Sequence, residues 1–442
     1  MRWLATHSWK IAVIVMVVSA SAAVTLAIHA GPRLVYQDER HYAALSKHLV
    51  QLHRFTLDGV KPTASRPPGY IWFLAVPQMF GASNTALRIF NVTALVVSQL
   101  FLFLLARRIS SAATAAIAVL LSLGYPVLFY SATVLFPQTL GAALMLCGLW
   151  LLFDSPLTIS RAVAAGGAWA ALILTIPTFL IPVAALSIWL FWQRRDFRRL
   201  AVPFVAPVVI LLGAWSVRNY MAFRSPVFIA TNGGVNLLLG NSENVTPDTG
   251  SSANISRYTT IGHQLLEPQQ NRYYTESAKM WVRNHPAQAA RLYGAKLLHY
   301  FSFANRTEAN DRSTPLSDEG QSWREIIMML TYGPLLSLFL ARLALSMKIP
   351  PSQEEICLIG LYLVNALFAA VFFTRIRFRL PMDWLMLVID AGTIASIVSR
   401  LSSPDRLVTR NKKRLKRLAE AESAALRSAR TRLSAIHILG QQ

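Results

Sequence analysis

The run I-A-V-I-V-M-V-V-S-A-S-A-A-V-T-L-A-I-H-A (11–30), followed closely by V-Y-Q-D-E-R-H-Y (35–42), decides how the rest of the chain is read. A helix needs about 20 mostly apolar residues to cross the hydrocarbon core of a bilayer, and residues 11–30 supply them. Arg2 and Lys10 precede the run, which predicts a cytoplasmic N-terminus and places residues 31–85 outside. Ala20-Ser21-Ala22 would serve as a cleavage site, but the length of the run favours an uncleaved anchor.

Composition supports the membrane reading. Of 442 residues, 54% are hydrophobic and 14% charged, against about 25% charged in soluble domains. The net charge of +22 would suit nucleic acid, but its placement does not. Ten of the 43 Lys and Arg fall in the last 42 residues, and others sit in short loops between apolar runs, as the positive-inside rule expects. Cys147 and Cys357 both lie in apolar runs, which rules out a disulfide framework or zinc spacing.

Working outward, further spans are expected near 86–105, 112–130, 133–153, 161–177, 179–192, 200–217, 324–345, 355–373 and 380–399, about ten in all. The fold class is thus an all-α polytopic membrane protein. Residues 1–217 form an N-terminal membrane module whose first outside loop is 31–85. A periplasmic or outer segment, 218–322, holds two helices near 270–283 and 286–303. Residues 323–400 complete the membrane part, and 401–442 form a basic cytoplasmic tail with N-K-K-R-L-K-R at 411–417. Residues 38–52 read as an amphipathic interfacial helix, with Tyr42, Leu45, Leu49 and Leu52 at helical spacing. Ile71–Phe80 is too short to span and reads as a helix that dips partly into the membrane, or as the start of a longer broken span.

The chemistry concentrates at the predicted outer edge. Asp38 and Glu39 are adjacent acids and both are catalytic candidates; if they point differently on a helix only one is the base, with Asp38 preferred and Glu39 left to serve structure or the acceptor. Tyr42 lies one turn from Asp38 on the same face. Arg66 closes the loop before Pro67-Pro68-Gly69-Tyr70. T-R-I-R-F-R (374–379) places Arg375, Arg377 and Arg379 between two spans on the outside, alternating so that an extended segment would align them. Arg218 lies just beyond another span. Arginines set against the topological bias suit phosphate, which the guanidinium fork grips with two donors. Asn219 and the stretch N-G-G-V-N-L-L-L-G-N (232–241), with Asn232, Asn236 and Asn241, form a candidate sugar-binding turn, and Tyr70 joins Tyr42 as a candidate substrate contact. N-x-[ST] occurs at Asn91, Asn244, Asn254 and Asn305. No phosphate loop for ATP, H-E-x-x-H or G-x-S-x-G occurs. No metal site and no cofactor are expected, although a divalent metal is left open.

Taken in order, the acid pair after the first span, R-P-P-G-Y (66–70), F-G-A-S (80–83), W-S-V-R-N-Y (215–220), T-N-G-G-V-N-L-L-L-G-N (231–241) and F-R-L-P-M-D (378–383) resemble the GT-C superfamily of integral-membrane glycosyltransferases. The nearest branch is that of protein O-mannosyltransferases and aminoarabinose transferases. The resemblance covers roughly residues 30–400. It implies an inverting transfer of sugar from a polyprenyl-phosphate donor to an acceptor lipid, glycan or protein on the outer face of the inner or plasma membrane. Carried over, Asp38 is the base, Arg66 lies at the donor phosphate, and Arg375, Arg377 or Arg379 assists. Where many relatives carry a further acid, this chain has L-F-P-Q-T-L (135–140) with Gln138, which puts a second acidic site residue in doubt. Two other readings stand beside this one. A polysaccharide polymerase or ligase would put its essential residues in 218–322. A lipid-linked sugar flippase would need polar groups deep in the spans, for which Gln99, Asn365 and Asp390 are the candidates.

Overall fold

The computed structural model describes residues 1–303 and 318–401. The basic tail from 402 onward and the Asn305 sequon lie outside the described residues. Every regular element among those described is a helix. The compact unit Arg2–Gly392 holds the site, and the last turns of the final helix belong to a second unit, Thr393–Gln442 with Met1.

Five helices are long and apolar enough to cross a membrane: Ser8–Ala30, Asn84–Ile109, Arg195–Phe223, Trp323–Leu345 and Ile376–Arg400. At 1.5 Å per residue each exceeds the roughly 30 Å hydrocarbon core. A sixth candidate, Ala112–Leu123 with Val127–Thr133, is bent by 68°. The bend falls at Gly124-Tyr125-Pro126, where the proline has no N–H to continue the ladder. Gln138–Leu152, Ile159–Thr175 and Pro177–Gln193 are shorter apolar helices. Each expected span therefore contains a helix, but the single long run expected at 112–130 is a broken one, and that expected at 133–153 is the shorter helix Gln138–Leu152.

Buried polar residues tie the membrane helices together. Gln99 donates to Ser19 Oγ at 2.8 Å and to Ser122 Oγ at 3.2 Å, and Asn365 donates to the Tyr300 hydroxyl at 2.9 Å. Such bonds form because an unpaired polar group in hydrocarbon is costly.

Two smaller helices carry the first outside loop. Gln37–Leu52 begins where Glu39 reaches back to accept from the backbone N–H of Val35 (3.0 Å) and Tyr36 (3.1 Å). This satisfies orphan donors and places negative charge at the positive end of the helix dipole. Tyr42 and Leu45 are buried, as the spacing predicts, while Leu52 is exposed. Pro68–Gln78 starts with Pro at its first turn, a favoured position. A Cβ on Gly69 would lie 2.9 Å from the backbone of Leu174 and Thr175, so this residue has to be glycine for the two helices to touch.

The polar segment folds as helices Gly233–Gly240, Ser256–Gly262, Glu267–Asn284 and Pro286–Tyr300. The stretch read as a turn at Gly233-Gly234 is the start of a helix, because Val235, Leu238 and their neighbours pack on Tyr274 and Ala278. Glu267 fastens this segment to the first loop. It accepts from Thr63 Oγ1 (2.7 Å), Ala64 N (2.8 Å) and Thr231 Oγ1 (2.5 Å). The loop so held carries Arg66.

Candidate active site

The centre of the candidate site is Asp38, on the first turn of helix Gln37–Leu52. One of its carboxylate oxygens accepts from Arg66 and the other from Arg377 Nη1 at 2.7 Å. These arginines are 28 and 339 residues away in sequence, so the pairing depends on the fold. Asp38 and Arg66 stay partly exposed, with side chains at 22% and 15%, while Arg377 is nearly buried at 10%. Burial alone would raise the pKa of Asp38, but the two guanidiniums outweigh it and hold the carboxyl well below the usual range. Nearby His41 is pushed down by burial and by Arg66, which favours its neutral form at pH 7.

Aromatic rings position Arg377. Its guanidinium lies 5.0 Å from the Phe136 ring centroid and 4.9 Å from that of Phe378, within cation–π range. Phe136 is held in turn by Glu39, whose Oε1 accepts from the N–H of Leu135 at 3.1 Å. Tyr42 and Tyr70 are buried and meet edge to face at 5.1 Å. The Tyr70 hydroxyl donates to Asn91 at 3.1 Å, which fixes the ring that backs Tyr42.

Glu39 has a different environment. It is 1% exposed, and Arg88 Nη1 donates to it at 2.7 Å. With Val35, Tyr36 and Leu135 also donating, both its oxygens are occupied. Arg88 further bonds the backbone oxygens of Gly31, Arg33 and Thr133. The two adjacent acids thus divide, Asp38 toward an accessible pair of cations and Glu39 into a closed structural clasp.

The remaining predicted arginines do not gather at Asp38. Residues 376–401 are helical, so the alternating register of an extended strand does not apply. Arg379 pairs with Asp383 one turn on, at 3.2 Å, and both are fully buried. Asp383 also accepts from Tyr125 (2.8 Å) and Tyr362 (3.1 Å), and the Arg379 guanidinium stacks 3.6 Å from the Tyr332 ring centroid. Arg375 donates to the carbonyls of Asp248 (2.7 Å) and Thr249 (2.8 Å). Gly250 beside it adopts φ +46°, and a Cβ there would strike the guanidinium. Arg218 donates to the carbonyls of Thr63 and Phe55 and lies over the rings of Phe55 and Trp215. Together with His53, Arg54 and Trp72 it lines a cavity of about 470 Å³. This cavity lies at the other end of the Asp38 helix, roughly 20 Å away by helical rise.

The asparagines serve backbone geometry. Asn219 holds the carbonyls of Val227 and Ile229, and Asn241 those of Leu237 and Val371. Asn232 stands at the N-cap position of helix Gly233–Gly240 without a side-chain capping bond, and its carbonyl accepts from the N–H of Asn236. Gln138 opens helix Gln138–Leu152 next to the Phe136 turn, and its buried Oε1 has no hydrogen-bond partner. Among the described residues, no three His, Cys, Asp or Glu side chains cluster closely enough to hold a metal.

Sequence reading missed Arg88, Phe136 and the Tyr125–Tyr362–Asp383 cluster. A charge within the first two turns of an apolar span was a usable signal for Arg88. Phe136 gave none, because nothing in the sequence tells which ring will lie under a guanidinium.

No protein-family model and no curated protein sequence matches the chain. Solved structures do. The apo oligosaccharyltransferase of Archaeoglobus fulgidus aligns over 90% of this chain and 52% of its own, with TM-score 0.51 and 14% identity. The chain shares the fold of this oligosaccharyltransferase over the aligned part. The oligosaccharyltransferase AglB from Archaeoglobus fulgidus, in complex with an inhibitory peptide and a dolichol-phosphate, aligns over 88% of this chain and 50% of its own at TM-score 0.51 and 15% identity. The chain therefore spans about half the length of these relatives. ArnT from Cupriavidus metallidurans, solved with undecaprenyl phosphate, covers 88% of this chain and 77% of its own at 15% identity, but its TM-score of 0.39 is too low to carry an argument. What the likeness shows is a shared fold with these oligosaccharyltransferase structures.

Proposed function

We propose that this protein is an inverting glycosyltransferase that moves a sugar from a polyprenyl-phosphate donor to an acceptor hydroxyl at the outer face of the membrane. One observation supports this above the others: a partly exposed carboxylate bridged by two guanidiniums that the fold brings together from distant parts of the chain. Transfer of this kind needs a proton acceptor on one side of the anomeric carbon and positive charge on the other, where the leaving phosphate gains charge. Asp38 fits the first role, and Arg66 and Arg377 fit the second.

In this reading Glu39, Arg88 and Glu267 are positioning residues. Glu39 sets the helix that presents Asp38, and Glu267 sets the loop that presents Arg66. Arg375 and Arg379 act at one remove, by fixing the 248–250 loop and the start of the last helix. The fold carries no sugar or acceptor preference on its own. The GT-C likeness supports a lipid-linked phosphate donor because AglB has been solved with a dolichol-phosphate. The reading places both termini in the cytoplasm.

Purified wild-type protein, incubated with synthetic polyprenyl-phosphate sugars and membrane extract as acceptor, is expected to release polyprenyl phosphate and glycosylate a component of the extract. Donor binding without turnover across the sugars tested would contradict the assignment in favour of a flippase.

A further inference from the structure

We propose that Asp38 is masked in the resting protein and is unmasked by the donor's own phosphate, because carboxylate and phosphate compete for one pair of cations, Arg66 and Arg377. This deepens the reading just given and rests on it.

Both Asp38 oxygens are engaged by guanidinium N–H groups. In that state the lone pairs that would take a proton point at positive charge, and the carboxylate is a poor base. The two cations are nevertheless suited to a second anion. Arg66 Nε is buried with no hydrogen-bond partner, so this guanidinium has donor capacity beyond Asp38 and its bond to Ser65 O. Arg377 is held flat by Phe136 and Phe378, and a stacked guanidinium can swing between acceptors in its own plane. Glu39 cannot take the place of Asp38, since its oxygens are occupied by Arg88 and three backbone N–H groups.

In the transfer step the acceptor O–H bond breaks, with its proton going to the Asp38 carboxylate, and the oxygen lone pair bonds to the anomeric carbon. The bond from that carbon to the phosphate oxygen breaks, and its electron pair leaves with the phosphate. The phosphate changes from a singly charged diester to a monoester of charge near −2. Its pull on Arg66 and Arg377 grows as the reaction proceeds, while the basicity of Asp38 rises as they leave it. The cations therefore act most strongly where charge develops, and the base is strong only when a donor is present.

The competition has a consequence that a simple supporting role for the arginines does not. If Asp38 holds the cations that the phosphate needs, removing its charge must tighten phosphate binding, because a masked site binds as though only partly competent. Synthetic undecaprenyl phosphate would be titrated onto full-length wild type, Asp38→Asn, Asp38→Ala, Arg66→Gln and Arg377→Gln in detergent. Folding of each would be checked by helical circular dichroism and elution volume. Any folded Asp38 variant is expected to bind about tenfold more tightly than wild type, and each arginine variant about tenfold more weakly. Equal or weaker binding by a folded Asp38 variant overturns the masking while leaving the transferase reading intact. Failure of wild type to bind polyprenyl phosphate at all overturns both.

Discussion

The chain contains two acid–arginine clusters that share one segment and have opposite characters. Asp383 with Arg379 lies fully buried, with Tyr125 and Tyr362 donating to the carboxylate and Tyr332 covering the guanidinium. Asp38 with Arg66 and Arg377 is partly exposed, and Arg66 Nε has no partner. The difference teaches that ion pairing alone does not mark a reactive site. In the closed cluster every charge is satisfied by protein, so removing one partner should cost stability. In the open one the cations are shared with an acid that a ligand can displace, so removing a partner should cost turnover.

The largest expected effect breaks the open cluster. Asp38→Asn should lower turnover by about 10²–10⁴-fold, the usual contribution of a general base, with little change in thermal midpoint. Arg377→Gln should come next, lowering turnover by about 10²-fold, as for loss of one donor to a developing anion. Steady-state release of polyprenyl phosphate measures both.

The closed cluster should respond through stability instead. Asp383→Asn leaves Arg379 charged and buried, which costs about 3–5 kcal/mol, seen as a lowered unfolding midpoint in detergent. Glu39→Gln should behave likewise by stranding Arg88. The folded fraction of either variant is expected to keep its affinity for polyprenyl phosphate. A loss of affinity with no loss of stability would erase the distinction between the two clusters.

The smallest effect is one of pH. The guanidiniums hold the Asp38 carboxyl low in the free protein. The carboxylate therefore stays charged and paired to pH values below the ordinary carboxyl value of about 3.9. The acid limb of kcat/KM, which reports the free enzyme, should accordingly lie below the usual carboxylate range. The acid limb of kcat reports the donor complex, and it should sit at higher pH once phosphate has drawn the arginines away. Coincident limbs would count against masking.

The fold class was legible because a polar backbone can cross hydrocarbon only when its own hydrogen bonds are closed, so apolar runs of membrane length point to spanning helices. Asp38 and Arg66 were legible as charges at a predicted membrane edge. What could not be read was the sorting of the arginines. Arg375, Arg377 and Arg379 look equivalent as a strand, but a helix starts at Ile376: Arg375 stays in the loop before it, and helical rotation sends Arg377 and Arg379 to different partners. Only Asp383, four residues after Arg379, hinted at this in the sequence. Likewise Glu39 and Asp38 differ by a single residue, yet about 100° of helical rotation separates the clasp from the site.

The most direct test of Asp38 as the base is turnover per donor-bound molecule, measured in the same detergent samples for wild type and Asp38→Asn, with Asp383→Asn alongside. Asp38→Asn is expected to bind donor at least as well as wild type yet to turn it over at least about 10²-fold more slowly, while Asp383→Asn keeps its turnover per folded, donor-bound molecule. Full turnover by donor-bound Asp38→Asn would contradict the assignment, because the bridged carboxylate would then be one more structural ion pair.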